Sequence, residues 1–282
     1  MNTEIEDLYT RYGANKLLQL TLSEKLTLTK NFLNESLRAK PDTLALCWTG
    51  GKDSTLLLWL TREVCHEQGL QMPLIVTIDE LDTFPEIRMF IQNLSDLWNM
   101  EVITLYNKGL ASRHPILQEP IPVAELDHAN QTALMEIGYI EPYFPFEPES
   151  VAGNHLTKTV PLRTFIKNQK ITGLFVALRW DEHIARAKES PVSLRNNPPH
   201  SRLHPMLYFR ECDVWNIIMQ YKVPFCELYR NGYRSLGARS ATRPVVPGIP
   251  AWEQDLDATS ERQGRGQDKE LAMEQLRALG YM

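Results

Sequence analysis

A glycine turn between two apolar runs constrains this chain more than any other feature. Residues 44–48 are apolar and strand-like, Gly50 and Gly51 follow, and polar residues 52–55 precede a second apolar run with helical spacing. Glycine lets the backbone turn sharply and approach an anion closely. The amides that open the next helix have no internal partner and carry positive partial charge. The pattern therefore predicts a phosphate-binding loop between a strand and a helix.

The side chains of this loop fit the same purpose. The loop is not a Walker A motif, which has four residues between its first glycine and a Gly-Lys pair. Lys52 adds a full positive charge, and Ser54 adds a hydroxyl donor. Asp53 can orient the loop, hold Mg²⁺ through water or cap the helix. We predict a site for a nucleotide phosphate; a glycine turn without a ligand is the alternative.

Hydrophobic periodicity predicts helices and strands that alternate along the chain. We predict helices over 22–38 (with Ser23 as a candidate cap), 54–66, 85–98, 161–170 and 214–221, and strands over 43–48, 73–78, 102–105 and 172–177. This order implies an α/β fold with a doubly wound parallel sheet and right-handed crossovers. Ligands of such sheets bind at the carboxyl ends of the strands, where the glycine loop and Asp79 fall.

Two regions lack clear periodicity. Residues 106–160 are rich in proline and less regular, so we assign no elements to them; a substrate lid is one interpretation. Residues 231–266 are rich in glycine, proline, arginine and serine, which predicts an ordered but irregular tail, and 269–279 read as a short helix. We therefore predict a nucleotide-binding α/β domain over 1–230 and a C-terminal tail over 231–282 that closes over the site.

A charged segment follows the strand over 172–177. Arg179, Arg186 and Lys188 can meet phosphate or sulfate oxygens, and arginine can do so in bidentate fashion. A charged, solvated helix is the alternative. Because the segment follows a strand of the same sheet as the glycine loop, we favour contact with an anion. We expect His183 on the helix surface.

A second segment, 228–244, contains four arginines and several hydroxyls around two glycines. This composition is incompatible with a core strand or helix. It predicts either an anion-lined loop over a nucleotide or a solvated connection. Arg234 and Arg243 are its candidate nucleotide ligands.

Charge and cysteine usage narrow the function classes. The formal net charge of −5 argues against a general nucleic-acid-binding surface. No apolar run reaches the length of a membrane span, and the acidic N-terminus lacks the order of a signal peptide, so we expect a cytosolic protein. No two of the four cysteines are spaced as metal ligands, so we expect buried thiols at Cys47 and Cys65, no protein-bound metal and no iron–sulfur cluster.

These segments, in this order, resemble the phosphoadenosine-phosphosulfate reductase family, whose members are PP-loop, adenine nucleotide α-hydrolase-like enzymes. The resemblance covers roughly residues 20–282. Residues 49–54 match the PP-loop, with Thr49 in place of its first serine. Asp79 and residues 84–86 match an Asp-Thr-Gly…Phe-x-Glu segment, although Glu80 and Leu81 replace Thr-Gly. Residues 179–188 match the arginine segment that contacts the nucleotide.

The resemblance implies roles for individual residues. It implies nucleotide binding by Thr49, Gly50, Gly51, Asp53, Ser54, Asp79, Asp181, Arg234 and Arg243. It implies that Lys52 holds the pyrophosphate leaving group and that Arg179, Arg186 and Lys188 bind sulfate or neutralise charge in the transition state.

Two branches of this family differ in their cysteines. Reductases carry a Cys-x-x-Cys pair after a Leu-Tyr-x-x-Gly-Tyr segment and a catalytic cysteine near the C-terminus. Here Ala238 and Ala241 take the places of the pair, and no cysteine follows Cys226. Reduction of a sulfonucleotide needs a nucleophilic thiolate. The other branch is the small subunit of bacterial two-subunit ATP sulfurylases. The C-terminal end of this chain resembles that subunit at residues 259–265, 268, 273–274 and 280–281. Residues 229–244, in contrast, resemble a reductase without its cysteines.

We therefore expect adenylyl transfer from ATP to sulfate, which gives adenylyl sulfate and pyrophosphate, with Mg²⁺ supplied with ATP. The resemblance also implies a GTPase large subunit as partner. Three alternatives stay open: a PP-loop enzyme that adenylates another acceptor for sulfur insertion, a sulfonucleotide reductase, and a non-catalytic nucleotide-binding regulator. Acceptor-dependent release of pyrophosphate separates them.

Overall fold

A mixed β-sheet forms the centre of the computed structural model, which describes residues 4–40 and 43–265. The strands are β1 (Leu44–Cys47), β2 (Leu74–Ile78), β3 (Val102–Leu105), β4 (Pro120–Pro122), β5 (Tyr143–Pro145), β6 (Gly173–Phe175), β7 (Val192–Asn196) and β8 (Pro199–Leu203). Six of them pair in the order β3-β2-β1-β6-β8-β7, and only β7 and β8 are antiparallel. The predicted α/β fold with a parallel sheet is confirmed.

Helices connect and cover these strands. In the described residues they are α1 (Glu4–Leu18), α2 (Leu22–Ala39), α3 (Lys52–Gln68), α4 (Pro85–Trp98), α5 (Lys108–Ala111), α6 (His128–Glu136), α7 (Val151–Asn154), α8 (Val160–Asn168) and α9 (Glu211–Tyr221). The sequence did not predict α1. Ser23 is not the cap of α2: Thr21 Oγ1 accepts from the Glu24 amide, and the Glu24 carboxylate accepts from the Thr21 amide at 2.8 Å. This reciprocal pair is a capping box.

The central strand β1 is buried on both faces. Leu46 pairs with Ile75 on β2 and with Phe175 on β6, and it belongs to the core that includes Phe32 of α2 and Leu57 of α3. Successive strand residues point to opposite faces, so Ala45 instead packs in the cluster that contains Phe165 and Ile166 of α8. Helices on both faces therefore fix the carboxyl end of β1, where the glycine loop begins.

Residues 106–160, which the sequence left unassigned, contain regular elements. Strands β4 and β5 form a separate antiparallel sheet, and α5, α6 and α7 surround it. Their apolar side chains form a second core, which contains Ile121, Leu134, Phe144 and Leu156. The sequence did not predict these two strands because they contain prolines, including the paired Pro120 and Pro145, and proline is disfavoured in most strands. The use of this unit as a lid stays a prediction.

The described part of the tail packs against the α/β core. The Arg239 amide donates to Asp82 O at 2.8 Å, and the Ser240 amide donates to the Asp82 carboxylate at 2.9 Å. Thr242 and Arg265 form an isolated antiparallel bridge. The predicted helix over 269–279 lies outside the described residues, and the division into domains at residue 230 stays a prediction.

None of the helices in the described residues is both long and apolar enough to cross a membrane.

Replacement of Phe144 tests whether the second core is a stable part of the fold. Phe144 is fully buried, so Phe144→Ala should lower the free energy of unfolding by about 3–5 kcal/mol. Ile140→Ala is the control, because Ile140 in the same unit is 89% exposed and should change stability by no more than about 0.5 kcal/mol. Urea titration measures both, and equal midpoints for the two variants would contradict this account.

Candidate functional site

The turn between β1 and α3 has the backbone shape that the sequence predicted. Gly50 has a φ of 74°, and a Cβ there would lie 2.9 Å from Ile87 Cγ2. The Thr55 amide donates to Gly51 O at 2.9 Å and begins the helix, so the amides before it open α3 with positive partial charge. Thr49 and Ser54 meet across the turn, with their hydroxyl oxygens 3.1 Å apart. The result is a short amide-rich turn edged by two hydroxyls.

Lys52 does not extend freely from this turn. Its side chain is 1% exposed. The ammonium donates to Arg234 O at 3.0 Å, lies 3.3 Å from the Asp53 carboxylate and forms a short ion pair with Glu261. Its amide donates to the Tyr229 hydroxyl at 2.8 Å. Burial raises the pKa of Tyr229 to about 12, so this hydroxyl stays protonated near neutral pH.

Arg179 lies behind the turn and is fully buried. Its guanidinium forms short ion pairs with Asp53 and Glu261 and lies 2.9 Å from Asp181. Burial by itself lowers the pKa of Arg179, but the surrounding carboxylates, with Glu261 the strongest, raise it overall. For Glu261 burial acts in the other direction and raises the pKa, but the charges of Arg179 and Lys52 have the larger effect and lower that pKa to about 2. Each group is therefore held in its charged form.

A second layer supports these pairs. The Glu211 carboxylate pairs with Arg234, and the Glu211 amide donates to the Asp181 carboxylate at 2.7 Å. Arg234 also donates to Thr259 O at 3.1 Å and is 1% exposed. We call the whole set the buried ion network: Lys52, Asp53, Arg179, Asp181, Glu211, Arg234 and Glu261. It joins the turn, the segment after β6, the start of α9 and the described end of the tail.

A cavity of about 690 Å³ opens at the carboxyl edge of the sheet beside this network. Its cationic lining residues are Lys52, Lys158, Arg163, Arg186, Arg195, Arg202, Arg262 and Arg265. Its acidic lining residues are Asp53, Glu80, Glu182, Glu189 and Glu261. Among the described residues of the lining, eight cations stand against five carboxylates, in a chain whose formal net charge is −5. Such a cavity favours an anionic ligand.

The predicted site residues divide between this cavity and its surroundings. Thr49, Gly51, Lys52, Asp53, Ser54 and Arg186 line it. In the described part of the chain, Gly50, Asp79, Arg179, Asp181, Lys188, Arg234 and Arg243 lie outside the lining. Their predicted contacts with nucleotide or sulfate stay predictions, and the geometry gives Arg179, Asp181 and Arg234 a place in the network behind the turn.

The remaining predicted residues have local partners. The Asp79 carboxylate accepts from the Leu81 amide at 2.9 Å and lies 3.0 Å from Arg88, which closes the turn after β2. Arg243 is exposed and donates to Thr242 O at 2.9 Å. Lys188 is also exposed. His183 was expected on a helix surface; instead its Nδ1 accepts from the Ala185 amide at 3.1 Å and begins the short 3₁₀ turn Ile184–Lys188.

Sequence reasoning assigned no role to three residues that shape the site: Tyr229, Glu211 and Glu261. Tyr229 belongs to the Leu-Tyr-x-x-Gly-Tyr segment, and Glu261 to the segment that resembles the sulfurylase small subunit, so both carried a signal. The only sequence signal at Glu211 was its position at the start of a helix, where acidic residues are common and do not indicate a functional site.

The four cysteines do not supply a thiolate. All four thiols are free, and burial raises the pKa of each, to about 11 for Cys47, Cys65 and Cys226. Cys47 was expected to be buried but is half-buried and lines the cavity. Ala238, in the place of a reductase cysteine, is buried, and its amide donates to the Glu149 carboxylate.

Known proteins resemble this chain over most of its length. A family model described as "Phosphoadenosine phosphosulfate reductase domain" matches residues 43–244, more than half of the chain. A probable FAD synthase from Caenorhabditis elegans is 26% identical over 79% of this chain, which spans 35% of that relative. Sulfate adenylyltransferase subunit 2 from Myxococcus xanthus is 25% identical over 70% of this chain and 62% of its own length.

A solved structure has the same fold. The Candida glabrata FMN adenylyltransferase, in complex with FAD and inorganic pyrophosphate, aligns with a TM-score of 0.61 and 18% identity over 89% of this chain and 95% of that one.

Removal of the Glu261 charge tests the buried ion network. Glu261→Gln leaves Lys52 and Arg179 without their shared carboxylate, so we expect a loss of about 3–5 kcal/mol in the free energy of unfolding. Glu125→Gln is the matched control. Glu125 pairs with Arg113 at the surface, with its side chain 59% exposed, and its loss should cost no more than about 1 kcal/mol. Chemical denaturation at neutral pH compares the two, and equal losses would contradict the role of Glu261.

Acid should also separate the Glu261→Gln variant from the wild type. Because the folded pKa of Glu261 is lowered from 4.5 to about 2, its contribution to stability is complete above pH 4.5 and is lost as the pH falls towards 2. The free energy of unfolding should therefore fall more steeply over this interval in the wild type than in the variant. Parallel curves would show that the carboxylate is not held in its charged form.

Proposed function

We propose that this chain, which belongs to the phosphoadenosine phosphosulfate reductase domain family, transfers the adenylyl group of ATP to an oxyanion and releases pyrophosphate. The observation that carries the proposal is the cavity at the glycine turn. It combines amides and hydroxyls suited to phosphate with more cations than carboxylates among the described lining residues, and the four thiols have raised pKa values. These features suit a reaction between anions that needs no protein nucleophile.

The chemistry is a single in-line displacement. An acceptor oxygen forms a bond to the α-phosphorus of ATP while the bond from that phosphorus to the bridging oxygen breaks, and pyrophosphate leaves with the electron pair. Catalysis then consists of positioning and fixed positive charge. Because the Lys52 amide already donates to Tyr229, we assign the β- and γ-phosphates to the amides of Asp53 and Ser54 and to the hydroxyls of Thr49 and Ser54. Mg²⁺ enters with ATP, held by phosphate oxygens and water.

Cations around the turn complete the site. Lys52, Arg186 and Arg262 line the cavity near the turn and would neutralise the charge that builds up on the phosphates. We assign Arg179 a positioning role, because it is fully buried and contacts Asp53 and Glu261. In this assignment it holds Asp53 and Glu261, and therefore Lys52, in place.

Sulfate is the acceptor that we favour. Residues 259–265 resemble the end of the sulfurylase small subunit, and Glu261, Arg262 and Arg265 from this segment line the cavity. The described part of the segment that carries the resemblance thus lies at the site proposed for the reaction, which supports this choice. A sulfate acceptor also implies a GTPase large subunit, because formation of adenylyl sulfate is uphill and must be coupled to another reaction.

A phosphate monoester such as FMN is the second candidate acceptor. The cavity continues from the turn to Arg195 and Arg202 on the β7–β8 hairpin, which leaves room for an acceptor larger than sulfate. Relatives named FAD synthase support this reading. Sulfate and a phosphate monoester would attack the α-phosphorus in the same way, so the choice changes the acceptor and not the reaction. Sulfonucleotide reduction is disfavoured because its thiolate is missing.

Acceptor-dependent release of pyrophosphate tests this function. The full chain is incubated with MgATP and pyrophosphatase, which removes the product of an uphill reaction, and with sulfate, FMN or no acceptor. We expect release with sulfate, or with FMN if the second candidate is right, and little release without an acceptor. Tight binding of ATP without release under any condition would contradict the proposal and support a non-catalytic regulator.

Substitutions in the turn link this activity to the site. Lys52→Ala should lower kcat about 10²–10³-fold, because it removes a fixed charge near the leaving group. Because Lys52 is buried among carboxylates, its replacement can also affect folding, and circular dichroism checks that the Lys52→Ala protein is folded. A second variant, Thr49→Val, leaves the buried ion network intact and should lower kcat about tenfold. Lys30→Ala is the control, since Lys30 pairs with Glu67 at the surface. Wild-type kcat in a folded Lys52→Ala protein would refute the assigned role.

A further inference from the structure

We propose that Tyr229 is a further binding residue of the phosphate site, whose hydroxyl donates a hydrogen bond to a terminal phosphate of ATP and then to the pyrophosphate that leaves. This role rests on the proposed function for the identity of the phosphate. The groups assigned to the phosphates above, two amides and two hydroxyls, do not include this tyrosine.

Packing in the core fixes the position of Tyr229. The residue belongs to the 3₁₀ turn Glu227–Asn231, and its ring meets that of Trp215 from α9 edge-to-face, with the ring centroids 5.3 Å apart. The centroid of the Tyr229 ring also lies 5.6 Å from Lys52 Nζ, in a cation–π contact. Both aromatic side chains are buried. The hydroxyl is therefore held at the glycine turn by a rigid base, and a ligand does not have to order a mobile side chain.

Three hydroxyl oxygens surround Gly51. A Cβ at this glycine would lie 3.3 Å from Thr49 Oγ1, 3.5 Å from the Tyr229 hydroxyl oxygen and 3.9 Å from Ser54 Oγ. Two of these hydroxyls have acceptors inside the turn, because Ser54 Oγ donates to Gly51 O at 3.0 Å and Thr49 Oγ1 lies 3.1 Å from Ser54 Oγ. The Tyr229 oxygen instead accepts from the Lys52 amide at 2.8 Å. Within the described residues, its own proton has no acceptor.

This proton is available to a ligand. Tyr229 lines the cavity together with Gly51 and Lys52, and a buried donor without an acceptor is costly until a ligand oxygen satisfies it. Successive hydrogen bonds strengthen one another, so the bond from the first amide of α3 makes the hydroxyl a better donor. Burial raises the pKa of Tyr229 to about 12, against the charge of Lys52 and with further contributions from Cys226 and Glu261. The hydroxyl therefore keeps its proton at neutral pH.

The donors of Lys52 are already used within the protein. An ammonium group has three N–H donors. The Lys52 ammonium donates to Arg234 O at 3.0 Å, lies 3.3 Å from the Asp53 carboxylate and forms a short ion pair with Glu261. Three acceptors thus match three donors. In our assignment, the lysine acts on the phosphate through its charge, and the hydrogen bond at this position comes from Tyr229.

Pyrophosphate binding to the full-length chain tests this role without turnover. Tyr229→Phe keeps the ring over Lys52 and against Trp215 and removes the hydroxyl. Calorimetry at neutral pH should show an affinity for pyrophosphate about tenfold to a hundredfold weaker than that of the wild type, the range expected for a hydrogen bond to a charged group. Tyr208→Phe is the matched control, because Tyr208 is as deeply buried and its hydroxyl lies 2.6 Å from Thr29 Oγ1, away from the described lining of the cavity. It should bind pyrophosphate as the wild type does.

A fluorinated tyrosine separates donation to phosphate from support of the turn, because Tyr229→Phe also removes the acceptor of the Lys52 amide. Fluorine on the ring makes a phenol a stronger donor and a weaker acceptor. With 3,5-difluorotyrosine at position 229, pyrophosphate should bind more tightly than in the wild type at a pH where the fluorinated phenol keeps its proton. If the hydroxyl only supported the turn, its weaker acceptance would leave the affinity unchanged or reduced, and that result would overturn the proposal.

The same fluorinated protein gives a second readout as the pH rises. Fluorine lowers the pKa of the phenol, whereas the wild-type pKa of about 12 keeps the proton in place. A phenolate still accepts from the Lys52 amide but cannot donate. The affinity of the fluorinated protein for pyrophosphate, relative to the wild type at the same pH, should therefore fall as the phenol ionises. A constant ratio would count against donation by Tyr229.

These experiments contain no ATP, so they distinguish the role of Tyr229 from the proposed function. Equal affinities of the wild type and Tyr229→Phe for pyrophosphate would remove the role of Tyr229 and leave adenylyl transfer in place. Tyr229-dependent binding without acceptor-dependent release of pyrophosphate would remove adenylyl transfer alone. A wild type that does not bind pyrophosphate at all would refute the phosphate site itself, and both proposals with it.

Discussion

The ion pairs of Glu261 with Lys52 and Arg179 are the interaction on which the rest of the site depends. Both cations are almost completely buried, and a buried charge without a partner is far more costly than a surface one. One carboxylate from the tail therefore fixes the lysine of the glycine turn and the arginine after β6 together. Glu211 and Arg234 extend the same arrangement into α9 and residues 259–261. Chain segments that are distant in sequence are thus held in one geometry before any substrate binds.

This arrangement separates two tasks that the sequence had assigned to the same residues. In the proposed assignment, the charges that line the cavity meet a ligand, whereas Arg179, Asp181 and Arg234 hold the turn from behind. In the part of the chain that the structure describes, cations outnumber carboxylates in the cavity lining, and this favours anions at this edge of the sheet. Adenylyl transfer between ATP and an oxyanion uses such a field and requires neither a thiolate nor a covalent intermediate.

The sequence predicted the central α/β unit because its signals are local. The apolar run over 44–48, the glycine turn and the periodic helix from Pro85 each show their structure within a few residues. It did not predict the β7–β8 hairpin, whose cavity face is polar, or the β4–β5 sheet, whose strands contain prolines. The partners of Lys52 were also beyond reach, because Glu261 lies 209 residues away along the chain. Such a pair comes together only in the folded chain, and the spacing of residues in the sequence does not predict it.

The central claim is that an acceptor oxygen attacks the α-phosphorus of ATP at the glycine turn. The most direct test uses an acceptor fully labelled with oxygen-18, sulfate or FMN phosphate, and mass spectrometry of the products. We predict that the oxygen between the acceptor and the adenylyl group carries the label and that the released pyrophosphate carries none. Release of AMP or ADP, with the other phosphates of ATP bonded to the labelled acceptor, would show attack at another phosphorus, and it would contradict the account.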